Sequence, residues 1–392
     1  MPGVVIMGGS LGGLTAALVL RDVGCDVRVF ERSSSALRAR GAGIAVLDAT
    51  LRYLTERGGH RPEDVCSATD WIRFVRADGS IQHEQRHRYR FSSWNTMYRS
   101  LLGLFDRDRY LLGREVVSFD SADDMVSVTL ADGSRVQADL LVCADGISSM
   151  ARARLMPDVE PSYSGYVAWR GTLPESSLSP PARQALGDAL TYQVLDRSHI
   201  LVYPIPGPDG SCADGERLIN IVWYVNVAAG HELDRLMTGR DGLRRAVSLP
   251  PGAACDDTVD HMRDAAAASL AGPIAAAVTT IPEPFVQAIY DIEVPRMVHD
   301  RVCLIGDAAF AVRPHAAAGT AKAADDGWAL ADELAATGGE VPVALAAWER
   351  RQLQVGRRLL TRTREIGDSS QFSGTFRPGD PRLIFGLHEP GH

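Results

Sequence analysis

Residues 4–20 read VVIMGGSLGGLTAALVL: a β-branched run, a cluster of glycines, then an Ala/Leu-rich run. VVIMG (4–8) suits a central parallel strand, and LTAALVLRDVG (14–24) predicts a helix closed by Gly24. The turn between them is Gly8-Gly9-Ser10-Leu11-Gly12-Gly13, and a second strand, DVRVFE, ends on Glu31. This is a βαβ unit with the spacing G-x-S-x-x-G and an acidic residue 18 positions past the last turn glycine. Backbone N–H groups at such a helix start receive a pyrophosphate, and Gly8, Leu11 and Gly13 let it come close. Ser10 is small enough to keep that approach, and its hydroxyl adds a possible phosphate contact. Glu31 stands where a ribose hydroxyl acceptor belongs and favours an unphosphorylated ribose, as in FAD or NAD, while Arg32 and Arg38 pull the other way. A glycine-rich turn alone fits any α/β domain; strand, helix and Glu31 together point to a dinucleotide.

The 392 residues suggest two or three domains, and a formal charge of −8 argues against a nucleic-acid partner. Six cysteines show no metal-ligand or redox spacing, so no metal site is expected and a reducing compartment fits. Residues 4–20 carry no charge, but no basic segment precedes them and four glycines interrupt them. The reading is a cytoplasmic protein without a membrane span.

Two further stretches repeat the strand-to-turn logic. In ADLLVCADGISSMARAR (138–154) an apolar strand ends at Ala144-Asp145-Gly146, with Ser149 and Arg152 on a helix start. In RVCLIGDAA (301–309) Asp307 closes a strand, and an Ala-rich helix follows from about Ala321 to Ala336. A strand-end carboxylate can accept from a ribitol or ribose hydroxyl, and a helix N-terminus beyond it stabilises negative charge.

Between these motifs, residues 190–227 hold period-2 runs (TYQVL, HILVYPI, INIVWYVNV) that predict strands without helical crossovers. Residues 175–189 and 230–247 read as short helices, 207–216 as a loop, and 264–278 as a helix pair. Alternation puts His199, Leu201 and Tyr203 on one face and sends Trp223 and Tyr224 opposite ways. Tyr192, Tyr203, Trp223, Tyr224 and His315 are candidates for an aromatic-lined pocket; sheet core is the competing reading for each.

The three motifs, in this order and at these distances, resemble the single-component FAD-dependent aromatic hydroxylases of the para-hydroxybenzoate hydroxylase type. PSYSGYVAWRG (161–171), YPIPG (203–207), WYVNV (223–227), RPHAAAG (313–319) and WERRQLQ (348–354) are most similar to dihydroxypyridine hydroxylases. The resemblance implies an α/β fold: a Rossmann-like FAD-binding domain with a parallel sheet, and an inserted α+β substrate domain with a mainly antiparallel sheet. Residues 1–70, 96–165 and 286–372 would form the first, 71–95 and 166–285 the second, and 373–392 an extended tail. It adds Arg32, Gly43, Asp145, Gly146, Asp307, Pro314, Ala317, Ala318, Gly319 and Thr320 to the cofactor-binding candidates. It also favours a homo-oligomer. The chain departs from the family at Ser10, Cys143, Phe310, Ala317 and Ala321, and at Tyr98, which takes the place of an arginine.

The implied chemistry is reduction of non-covalent FAD by NADH or NADPH, addition of O2 to give a C4a-hydroperoxide, and transfer of OH to an electron-rich ring. The substrate would be a small aromatic, a hydroxypyridine or phenol. Taking a proton from a ring hydroxyl strengthens the ring's donor, so a base within reach is the natural protein contribution. His315, after Pro314, is the first candidate, with Tyr203 and His199 behind it; the competing reading is that His315 only shapes the wall. Arg170 is expected to anchor backbone or flavin edge, and RHRYR (86–90) to be a solvated edge. Two rivals are a flavin dehydrogenase or halogenase, for which no W-x-W-x-I-P or C-x-x-C is present, and a non-catalytic nucleotide-binding protein.

Overall fold

The computed structural model describes residues 1–37, 43–122 and 124–392. A six-stranded sheet runs in the order Val298–His299, Val302–Leu304, Leu140–Cys143, Gly3–Met7, Asp26–Glu31, Tyr110–Leu112. Every pairing in it is parallel except that of the first two strands, which form an edge hairpin. Gly3–Met7 lies inside this sheet, and its uncharged β-branched residues are buried on both faces, as a parallel strand covered by helices requires. Helix Leu11–Asp22 packs against helix Gly319–Ala336 so closely that a Cβ on Gly327 would come within 2.9 Å of the Ala16 Cα. The long helix Val341–Gln371 lies against both, with buried Trp348 donating its Nε1–H to the Asp326 carbonyl at 2.9 Å.

A nine-stranded sheet forms the second layer system. Its order is Ser248–Leu249, Phe285–Asp291, Ser162–Pro174, Leu218–Asn226, Ser198–Ile205, Ala189–Leu195, Ser67–Val75, Ile81–Ser93, Gly43–Ala45. All pairings are antiparallel except Ala189–Leu195 with Ser67–Val75. Its membership shifts the expected domain limits: Gly43–Ala45, the first residues of Ser67–Val75 and of Ser162–Pro174, and Phe285–Asp291 all belong to this sheet. Strands bend across a domain border, and composition does not mark where they cross. One face packs on the helices Asp256–Ser269 and Gly272–Thr279 in an apolar core that includes Trp169 and Trp223. The other face carries Tyr166, Tyr192, Tyr203 and Tyr224.

The helix pair expected at 264–278 starts earlier, at Asp256, and breaks before Pro273, which takes a first-turn position where its missing N–H costs nothing. The helix expected over 230–247 ends at Leu236. Beyond it the Leu243 amide donates to the Asp241 carboxylate, and Gly242 takes a φ of +74°, which closes a turn that helical geometry excludes. No helix among the described residues is long and apolar enough to cross a membrane.

Candidate active site

A cavity of about 810 Å³ runs between the two sheets. Its first end is made by the glycine turn: Ser10, Leu11, Gly12 and Gly13 line it, with Gly146, Asp307 and residues 317–320 opposite. Two glycines there are sterically required. A Cβ on Gly8 would lie 2.4 Å from the Ala144 carbonyl oxygen, with φ at +102°, and one on Gly13 would lie 2.0 Å from the Gly8 carbonyl oxygen. Two helices begin at this end, at Leu11 and Gly319, with no acidic residue in the first turn and no side-chain cap. Their uncapped amides face the cavity and favour a negatively charged group. Ala317, where the family carries glycine, sits in the left-handed region at φ 54°.

Asp307 is exposed to the cavity in the short turn Gly306–Ala308. The surrounding protein mass raises its carboxyl above the usual range, against the pull of Lys322 and Arg152.

Several expected cofactor residues stand elsewhere. Glu31 is buried and accepts from the Gly9 amide at 3.0 Å and the Ser33 amide at 2.9 Å, bracing the turn from behind. Gly8 also lies behind the wall, Arg32 is exposed away from it, and Arg38 lies outside the described residues. The Asp145 carboxylate accepts from Ser149 Oγ at 2.7 Å and from the Ala151 amide at 3.2 Å, so it caps helix Met150–Leu155 rather than facing the cavity. Tyr98 fills the family's arginine position with a brace: its hydroxyl bonds that of Tyr110, which donates to the Gly9 carbonyl at 2.8 Å.

The second end of the cavity is aromatic. Tyr192, His199, Leu201, Tyr203 and Tyr224 line it together with Pro314 and His315. The His315 ring lies 4.9 Å from that of Tyr224 and 5.4 Å from that of His199. Burial pushes His199 down to about 3. His315 is held well below the ordinary histidine value, by burial first and then by His199 and Arg313. Both imidazoles are therefore neutral near pH 7. Tyr203 donates to the Gly43 carbonyl at 3.1 Å, and Arg170 donates to the same oxygen at 2.9 Å, so Arg170 does anchor backbone. Asn220 accepts the Gly43 amide at 2.7 Å, which fixes that residue on the cavity wall.

Trp223 is the misplaced member of the expected pocket. It packs in the helix-covered core and donates to Ser198 Oγ at 3.0 Å, on the face away from the cavity. Tyr166, inside the motif 161–171 but given no role from sequence, sits beneath the site, its hydroxyl 2.7 Å from His315 Nε2. Gln371 donates to His199 Nδ1 at 3.2 Å. Neither contact leaves a signal in sequence, since each joins residues far apart in the chain. No group of metal-ligating side chains occurs among the described residues.

A family described as FAD binding domain-like matches residues 163–291, which fall mostly in the nine-stranded sheet. The 2,6-dihydroxypyridine 3-monooxygenase of Paenarthrobacter nicotinovorans is 38% identical over 389 residues, 98% of this chain and 95% of that protein. The chain belongs to the FAD-dependent aromatic-ring monooxygenases. Among solved structures, 2,6-dihydroxypyridine-3-hydroxylase from Arthrobacter nicotinovorans superposes with a TM-score of 0.93 at 35% identity, covering 100% of this chain and 98% of that one. Klebsiella pneumoniae HpxO, solved with FAD, shares the fold at a TM-score of 0.79 and 22% identity, covering 95% and 91%. The protein is thus an FAD-dependent monooxygenase of the 2,6-dihydroxypyridine 3-monooxygenase and salicylate hydroxylase type. The steric cradle at Gly8 and Gly13 and the two uncapped helix starts fit that cofactor.

Proposed function

We propose that this monooxygenase hydroxylates a small hydroxylated pyridine, with NADH or NADPH as reductant and O2 as oxygen donor. The observation that carries the reading is the 38% identity across nearly the whole chain to an enzyme named for 2,6-dihydroxypyridine. When bound, FAD supplies the electron transfer and the oxygen activation. Residues 10–13 and the start of helix Gly319–Ala336 would hold its charged portion, and Asp307 would accept from a sugar-chain hydroxyl.

The chain's own task is to seat the ring, exclude water and move one proton. Tyr192, Tyr203 and Tyr224 give flat apolar walls for a ring. His315 is the base: neutral, buried, with Nε2 engaged by Tyr166 and Nδ1 lacking a protein partner. When Nε2–H donates to Tyr166 Oη, Nδ1 carries a lone pair and accepts a proton from a ring hydroxyl. When Tyr166 donates instead, Nδ1–H is the donor. The short bond between them lets the pair exchange those states.

The test is to purify the protein, record its visible spectrum, and follow NADH and NADPH consumption in air with hydroxypyridines and phenols. Flavin bands, substrate-stimulated oxidation and a product heavier by one oxygen are expected with 2,6-dihydroxypyridine. Stimulation by phenols alone would overturn the pyridine assignment.

A further inference from the structure

The chain after Gln371 has no helix or strand beyond the short turn Pro381–Leu383, yet it returns to the active site. Phe376, Leu383 and Phe385 line the cavity. Phe376 and Phe385 are each only 5% exposed, while residues 373–375 and Arg377 beside them face solvent. Irregular segments of this length inside a compact fold are uncommon and tend to serve binding.

The seat of this segment is specific. Arg362, on the long helix, donates to the carbonyls of Arg382 at 3.3 Å, Ile384 at 2.5 Å and Gly386 at 3.1 Å. The Phe385 amide donates to the Tyr89 hydroxyl at 2.9 Å, and the Gly386 amide to the carbonyl of Ala316 at 3.2 Å. The last bond ties the tail to the residue beside His315. At the ring end, Phe376 lies nearly parallel to the His199 imidazole, 5.0 Å between centroids at 18°.

We propose that residues 373–392 form a strap that closes the ring end of the cavity, with Phe376 as the wall that limits ring substituents. The strap rests on the proposed ring chemistry for its substrate but not for its closure. A bulky side chain held by its neighbours excludes a substituent through overlap, and truncating it removes that penalty. A sealed ring end also keeps water from the reacting ring.

The test uses the FAD-loaded enzyme. Binding of 2,6-dihydroxypyridine and of its propyl-substituted form is followed by perturbation of the flavin spectrum in the parent, Phe376→Leu and Phe376→Ala. The parent is expected to prefer the bare ring by about tenfold or more, the preference falling in Phe376→Leu and to about threefold or less in Phe376→Ala. An unchanged ratio in both variants, with FAD content intact, overturns the wall. If the parent binds neither ring, the hydroxypyridine reading fails and the strap is judged by acrylamide quenching of bound-flavin fluorescence. A Phe376→Ala/Phe385→Ala double variant should then quench about threefold more readily than the parent, and equal quenching sinks the strap.

Discussion

The Tyr166 hydroxyl stands 2.7 Å from Nε2 of His315, and this bond joins strand Ser162–Pro174 of the nine-stranded sheet to the Pro314–Ala316 turn that follows the last strand of the parallel sheet. Both partners are buried. The Arg313 guanidinium lies 5.8 Å from the Tyr166 ring centre and is itself held by Asp291, so the phenol is fixed in place. One end of the imidazole is thereby committed.

Replacing Tyr166 with Phe keeps the ring and removes the oxygen, which leaves a buried imidazole nitrogen unpaired at a cost of about 1–3 kcal/mol. Product formation should drop about tenfold in Tyr166→Phe and about a hundredfold in His315→Ala, while both retain FAD. Product per NAD(P)H, measured by chromatography, reads the outcome; His315→Ala turning over at the parent rate across pH would reduce His315 to a wall residue.

The two depressed histidines make a prediction about acid stability. His199 is held at about 3 and His315 well below the ordinary value, so below about pH 6.5 the unfolded chain takes up protons that the folded chain refuses. Stability is full above that pH and falls by about 1.4 kcal/mol per pH unit per histidine as pH drops toward the folded values. Thermal midpoints between pH 7 and 5 should fall more steeply in the parent than in His199→Gln. Parallel curves would contradict it.

The sequence showed those parts of the site that backbone geometry demands. Gly8 and Gly13 are forced by contacts under 3 Å, and a requirement of that kind leaves glycine as its mark. The Asp307 turn and the segment after Pro314 follow strands, so their place at the cavity was readable from order alone. Alternation separated Trp223 from Tyr224 but did not say which face the helices Asp256–Ser269 and Gly272–Thr279 would cover. Asp145 was misread because a carboxylate four residues before a serine at a helix start serves as a cap as readily as a ligand. The Tyr166–His315 bond spans 149 residues, and the tail's Phe376 sits in a stretch with no periodicity.

Opposite faces of one strand give a paired test. Trp223→Phe removes the bond to Ser198 and some core packing, so it should cost about 1–2 kcal/mol of stability and leave ring affinity unchanged. Tyr224→Ala strips a cavity wall 4.7 Å from His199 and should weaken ring binding about tenfold. Thermal midpoint and flavin-monitored binding separate the two effects; a Trp223→Phe variant that loses ring affinity would place that side chain in the site.

Lys322 and Asp326 form the most enclosed ion pair, with Nζ 2.9 Å and 2.7 Å from the two carboxylate oxygens, and side chains 1% and 0% exposed. Asp326 also accepts the Gly306 amide at 2.8 Å, which ties helix Gly319–Ala336 to the turn that presents Asp307. Burial pushes the Asp326 carboxyl up to about 6 even with the ammonium opposing it. Lys322→Met removes that opposition and should cost about 3–5 kcal/mol at pH 8, where the carboxylate is left charged and unpaired. The raised acid is stable as its protonated form at low pH and loses that advantage as pH rises through the folded value, so the penalty should shrink at pH 5. Thermal midpoints of parent and variant at both pH values decide it. A loss of equal size at both would mean that the lysine contributes packing rather than charge.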